Sequence, residues 1–177
     1  MMYNGFVLVE MGRNGLIFLQ NILFREGGCR MASFLGEYPR QLDDRGRFIL
    51  PAKIREKLSG TVYVAPSPID KCLNLYTEDQ WQVIAEKVSA LPTVTNPSAA
   101  ALQRRIFGKA MSCEIDRQGR IPLNEGLLKY AGMTRDIVLV GVNSKFEIWD
   151  SETWNASDSA YDTEMMLKGI AEYEIQV

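Results

Sequence analysis

The sequence of 177 residues predicts an α+β fold, mainly β, in which one small module occurs twice and both copies share a barrel. Three observations predict it. The chain matches itself at a shift of 73 residues, each copy is centred on an Asp-x-x-Gly-Arg turn, and apolar residues alternate around those turns. At that shift Asp43 falls on Asp116, Gly46 on Gly119, Arg47 on Arg120 and Leu50 on Leu123. Leu42 falls on Ile115, Phe48 on Ile121, Ile54 on Leu127, Tyr76 on Trp149 and Trp81 on Trp154. The register holds throughout, apart from a compensated two-residue slip around the middle strand.

In the first copy, GEYPRQLD reads as a strand, and Pro39 places it at a sheet edge because proline has no amide to donate. Asp43-Asp44-Arg45-Gly46 is a tight turn: Asp accepts from backbone amides two residues on, and Gly takes the positive φ. Arg47–Leu50 returns as a strand, so a hairpin is expected. PAKIREKL follows as a short amphipathic helix with Pro51 in its first turn, ended by Ser59-Gly60. TVYVA and CLNLY alternate as strands. Thr77-Glu78-Asp79-Gln80 fits a capping box, so a helix should run to about Val88 with Trp81, Ile84 and Val88 on one face.

A linker over 91–98 and a helix from Ser98 to Phe107 lead into the second copy. There, strand, turn and strand repeat over 109–123, Asn124 caps a short helix that Gly132 ends, and strands at 136–142 and 145–149 precede a short helical turn from Asp150. The expected organisation is an extension over 1–30, a first module over 35–81, connecting helices and linker over 82–107, a second module over 108–154 and an acidic tail over 155–177. A lone hairpin is barely stable, so two copies are expected to interleave around one core.

Composition narrows the function. The chain contains no histidine, which excludes Ser-His-Asp and Cys-His catalysis and every histidine-bearing zinc site. Cys29, Cys72 and Cys113 are too few and too scattered for a disulfide framework or a zinc cluster, and a reducing cytoplasm suits them. No phosphate loop of the G-x-x-x-x-G-K type is present, and no carboxylate pair is marked out as acid and base. A catalyst, a cofactor and a small-molecule substrate are therefore not expected. The net charge is -2, but residues 31–149 hold sixteen basic and thirteen acidic residues, while 150–177 hold seven acids against Lys168. The body is mildly basic and the tail acidic.

In the first thirty residues, the apolar run from Leu16 to Phe24 is too short to span a bilayer and lacks the flanks of a secretory signal. Glu26-Gly27-Gly28 can be encoded by a purine-rich AAGGAGG ribosome-binding sequence, which makes Met31 a candidate start and the preceding segment untranslated leader. The alternative is a genuine N-terminal extension.

The strings GEYPRQLDDRGRFILPAKIREKL, CEIDRQGRIPLNEGLLKYAG and IVLVGVNSKFEIWDSETW resemble the two repeats of the MraZ family of bacterial transcription regulators over about residues 31–155. Both copies carry the D-x-x-x-R motif of tandem SpoVT-AbrB-type modules. The resemblance implies a swapped-hairpin β-barrel formed within one chain. It also implies assembly into a homo-oligomeric ring, association with the nucleoid, and binding to G-rich direct repeats upstream of the division and cell-wall gene cluster, including the protein's own promoter. The motif arginine maps onto Arg47 and Arg120, and the aspartate onto Asp43 and Asp116. Residues 1–30 have no counterpart, and no role is carried onto the tail after Trp154.

The residue chemistry agrees with DNA as partner. Arginine's planar fork matches guanine O6 and N7 in the major groove, which admits a two-stranded ribbon. Asp43 and Asp116 lie across their turns from Arg47 and Arg120 and would orient each guanidinium; the plainer reading is a surface ion pair of little energetic weight. Arg40, Arg45 and Lys53, with Lys109 and Arg117 as sparser equivalents, are the phosphate candidates, whereas Arg55 and Lys57 read as a solvated helix face. Arg104 and Arg105 suit either DNA or a neighbouring subunit. Copy two is the weaker, because Arg45 becomes Gln118 and Arg40 becomes Cys113. Trp81, Trp149, Trp154, Tyr76 and Phe146 read as packing residues rather than base-stacking platforms. The competing function is an antitoxin-like protein-interaction barrel whose acidic tail engages a basic partner.

Overall fold

The structure is a computed structural model that describes residues 33–58, 60–160 and 163–170. The N-terminal extension with Cys29 and the candidate start at Met31 lies outside these residues.

The first repeat supplies β1 (Phe34–Gln41), β2 (Arg47–Ile49), α1 (Ala52–Arg55), β3 (Thr61–Pro66), β4 (Leu73–Thr77), α2 (Glu78–Ser89) and α3 (Pro97–Phe107). The second supplies β5 (Met111–Glu114), β6 (Arg120–Pro122), α4 (Glu125–Ala131), β7 (Asp136–Asn143), β8 (Phe146–Asp150), α5 (Ser151–Ala160) and α6 (Thr163–Ile170). Six strands form an antiparallel sheet in the order β1-β7-β8-β4-β3-β5, and β2 pairs with β6 in a separate ribbon.

The repeats are interleaved. β1 of the first repeat pairs with β7 of the second, and β5 of the second with β3 of the first. The local hairpin expected from the first turn is therefore not a ladder: the turn closes, but β2 leaves β1 and finds its partner in the other repeat. A pseudo-twofold axis relates the copies. It passes between Phe48 and Ile121, which are repeat equivalents and face each other in the ribbon, and between Asn74 and Glu147 in the sheet. Val62 and Ile137 stand opposite Thr77 and Asp150, so the two-residue slip falls on the middle strand. β1 and β5 are the sheet edges and run through their turns into the ribbon, which completes the barrel. Pro39 lies on an edge strand, where its missing amide costs no ladder bond.

One core fills the space between sheet and ribbon. Phe48 and Leu50 meet Ile121 and Leu123 from the ribbon side, and Val62, Val64, Leu73, Leu75, Ile137, Leu139, Phe146 and Ile148 project from the sheet. Strands β3, β4, β7 and β8 bury both faces, which explains near-continuous apolar runs such as IVLV. Outside, α2 and α3 cover Ala65 and Tyr76, with Trp81 stacked on Tyr63 at 5.2 Å. On the second half, Trp149 packs against Trp154 of α5. These aromatics are packing residues, as the sequence predicts.

Two helices differ from expectation. α1 has only four residues, with Pro51 as its N-cap rather than inside the first turn. The short turn expected at Asp150 is a ten-residue helix followed by a further eight-residue one. Asp150 is buried, and its Oδ1 accepts from the amides of Glu152 and Thr153, so this carboxylate starts the helix. The capping box at Thr77 and Gln80 and the left-handed Gly132 cap form as the local sequence demands.

Candidate nucleic-acid interface

Each turn is built by its aspartate. Asp43 Oδ1 accepts from the amides of Arg45 and Arg47, both at 2.9 Å, and the Gly46 amide closes back on the Asp43 carbonyl at 2.9 Å. Asp116 repeats this with Gln118 and Arg120, also at 2.9 Å. Gly46 and Gly119 sit at φ +68° and +77°, the left-handed region where a side chain is strained.

The second carboxylate oxygen holds the arginine. Arg47 Nε donates to Asp43 Oδ2 at 2.8 Å and its Nη2 lies 2.7 Å from the same atom. Arg120 Nε donates to Asp116 Oδ2 at 2.7 Å. The side-chain hydrogen bond from Arg47, then its backbone amide, draws the Asp43 carboxyl down to about 2. Asp116 is lowered as well, chiefly by the Arg120 amide and then by its guanidinium. Asp43, with a smaller contribution from Asp116, raises Arg47. Both carboxylates thus stay ionised at any physiological pH.

The swap brings the two pairs together. Arg47 stands in register with Pro122, and Arg120 with Ile49, so the arginines are diagonal neighbours on one face of the ribbon. Such diagonal positions lie roughly 7–8 Å apart. The opposite face carries Phe48 and Ile121, both fully buried, so the arginine face is the outer one. The turns grip the ribbon's ends: the Leu50 amide donates to the Gly119 carbonyl at 2.8 Å, and the Leu123 amide to the Gly46 carbonyl at 2.9 Å. A narrow ribbon results, bearing two carboxylate-held guanidinium groups that still have free N–H edges.

The remaining candidates divide. Arg45 and Arg117 are exposed in the turns beside the ribbon, and Lys53 is exposed on α1. Arg40 lies at the ribbon's edge, but its guanidinium is engaged by the Ile49 carbonyl at 3.0 Å and the Pro39 carbonyl at 2.6 Å. Arg40 therefore ties β1 to β2. Lys109 is not gathered with the others. It sits beyond the far end of β5 from the Asp116 turn, with Nζ 5.3 Å from the Tyr130 ring centroid. At about 3.3 Å per strand residue, that is roughly 20 Å from the turn. Lys57 likewise bonds the Ser33 carbonyl near the start of β1.

The sequence reads Arg55 as a helix-face residue. In the structure its side chain lies on the Gly119 turn of the other repeat, where a methyl on Gly119 would collide with Cδ and stand 3.0 Å from Nη1. The signal that finds it is the repeat combined with the swap: Arg55 is equivalent to Leu128, which packs in the same way on Gly46.

Among the described residues no cluster of three or more side chains suits a metal ion, and no helix is long and apolar enough to cross a membrane. A family model described as "MraZ protein, putative antitoxin-like" matches the chain twice, over residues 33–105 and 106–172.

Proposed function

The chain belongs to the MraZ family, and on that premise we propose that it is a sequence-specific DNA-binding transcriptional regulator that reads DNA through the β2–β6 ribbon. The observation that carries the reading is the double Asp–Arg pair on one exposed ribbon face. A single such pair is an ordinary surface contact. Two in matching geometry, at diagonal positions on a ribbon of major-groove width, form a rigid reader. Arg47 and Arg120 contact guanine edges, Asp43 and Asp116 position them, and Gly46 and Gly119 let the turns form. Arg45, Lys53 and Arg117 contact phosphates.

The targets proposed are G-rich direct repeats upstream of the division and cell-wall gene cluster, including the protein's own promoter. The protein acts in the cytoplasm at the nucleoid, without catalysis, as expected in a family of regulators. Few cations per chain favour a homo-oligomer, a ring in this reading, because several subunits on repeated sites gain effective concentration. The second reading, an antitoxin-like interaction barrel, draws on the family's description and on the exposed Leu167 and Met166 of α6.

The test is binding of the full chain to DNA from upstream of its own gene and to a scrambled duplex, across a salt series. Preference for the upstream sequence with a steep loss of affinity in salt is expected. Equal affinity for both duplexes overturns the specific-regulator reading and leaves the interaction barrel.

A further inference from the structure

We propose that Arg55 is a DNA-phosphate contact that the first repeat lends to the second repeat's turn. This rests on the DNA-reading function above and adds a residue to it. The swap delivers Arg55 to that place. The bond from the Leu50 amide to the Gly119 carbonyl anchors the end of β2 against the second turn, and α1 follows within two residues. Ile54 is buried in the shared core, which fixes the helix's rotation and leaves Arg55 half-buried beside it. The arginine stem covers Gly119, which is buried, while Arg117 and Gln118 around it are exposed.

Packing alone does not require a guanidinium there. At the equivalent place over Gly46 stands Leu128, whose Cδ1 would lie 3.0 Å from a methyl on that glycine. An aliphatic side chain thus suffices to cover the turn. Charge is the difference, and it is unspent: among the described residues no carboxylate pairs with Arg55, whereas Arg47 and Arg120 are each held by an aspartate. An unheld guanidinium on a helix flank, beyond the end of the ribbon, is placed for the phosphate backbone beside a filled groove rather than for the base edges in front of the ribbon. The second turn carries Gln118 where the first has Arg45 and Arg117 where the first has Asp44, so Arg55 adds a cation beside Arg117 at that turn. The second tip then carries Arg117 and Arg55 against Arg45 and Asp44 at the first, and the first repeat does not dominate binding.

The experiment compares the full-length wild type with Arg55→Leu, the side chain that the other repeat already uses at this position. Fluorescence anisotropy is read on the upstream and scrambled duplexes across a salt series, and thermal unfolding is measured alongside. Arg55→Leu is expected to weaken binding to both duplexes by the same factor. Its slope of log affinity against log salt should be shallower by about 0.9 per bound chain. Arg55→Lys, which keeps the charge, should keep the wild-type slope. If Arg55→Leu lowers the melting temperature, Arg55→Gln repeats the comparison with length and polarity retained. Wild-type affinity and slope in the neutral variants overturn the proposal, as does a loss confined to the upstream sequence. If the wild type binds neither duplex, the DNA reading itself fails and this contact with it. If the wild type binds and the neutral variants match it, only the role of Arg55 falls.

Discussion

Truncating Phe48 tests the interleaved ribbon on which the interface is built. Phe48 is fully buried, and its partner in register is Ile121 of the other repeat. Removing a fully buried phenylalanine side chain costs about 3–5 kcal/mol in transfer and cavity terms. Its neighbour Ile49 points to the outer face and is 50% exposed, so Ile49→Ala should cost roughly 1 kcal/mol or less. The contrast between adjacent residues of a three-residue strand fixes which face is inside. A second step fixes the partner. Phe48→Ala and Ile121→Ala remove facing side chains from one core, so their costs should fail to add by about 0.5–3 kcal/mol in a double-mutant cycle. Urea unfolding of the wild type, the three single variants and the double variant supplies the numbers, and each transition should be single, because one core joins both repeats. Equal costs for Phe48→Ala and Ile49→Ala would refute the ribbon's orientation. Additivity of Phe48→Ala and Ile121→Ala, or two separate transitions, would refute the swap.

Three other outcomes follow from local chemistry. Thr77→Ala removes the acceptor for the Gln80 amide and half of the capping box on α2, so urea unfolding should register a loss of about 0.5–2 kcal/mol; no change would mean that the cap is idle. Asp43 has a folded value of about 2, below its ordinary 3.8, so its contribution to stability is complete above about pH 4 and is lost as pH falls through 2. A carboxyl NMR titration should place its midpoint near 2, and a midpoint near 4 would show the Arg47 pair to be absent in solution. Burial pushes the Cys72 thiol up to about 12 and the Cys113 thiol up to about 11. In a Cys29→Ser background buried Cys72 should resist an aromatic disulfide reagent at neutral pH until denaturant is added and half-buried Cys113 should react slowly, and rapid labelling of both in the native protein would contradict this placement.

What could be read from the sequence was what is local or repeated. The Asp–Gly–Arg turns, the Thr77 capping box and the Gly132 cap rest on contacts within a few residues, and they form as read. The pairing of β2 with β6 was not legible as such, because a three-residue strand carries too little pattern to name its partner. The length of α5 was missed for a different reason: the sequence places its start at Asp150, but the helix has no fully buried residue and so no apolar stripe to mark how far it runs. In the candidate site, the Asp–Arg geometry at both turns follows the sequence reading. Arg40 and Lys109 show its limit. A basic residue in the right stretch of chain proved to be engaged by backbone carbonyls in one case and placed at the far end of a strand in the other. Arg55 was illegible in the opposite sense, since only the swap carries it to the Gly119 turn.

The central claim is that Arg47 and Arg120 read bases, and the ratio of affinities for upstream and scrambled duplexes measures it directly. Replacing both with alanine in the full-length chain should collapse that ratio, by roughly tenfold or more for each bidentate arginine–guanine pair removed, while much of the salt-dependent affinity for the scrambled duplex remains. A double variant that keeps the full wild-type preference would contradict the account.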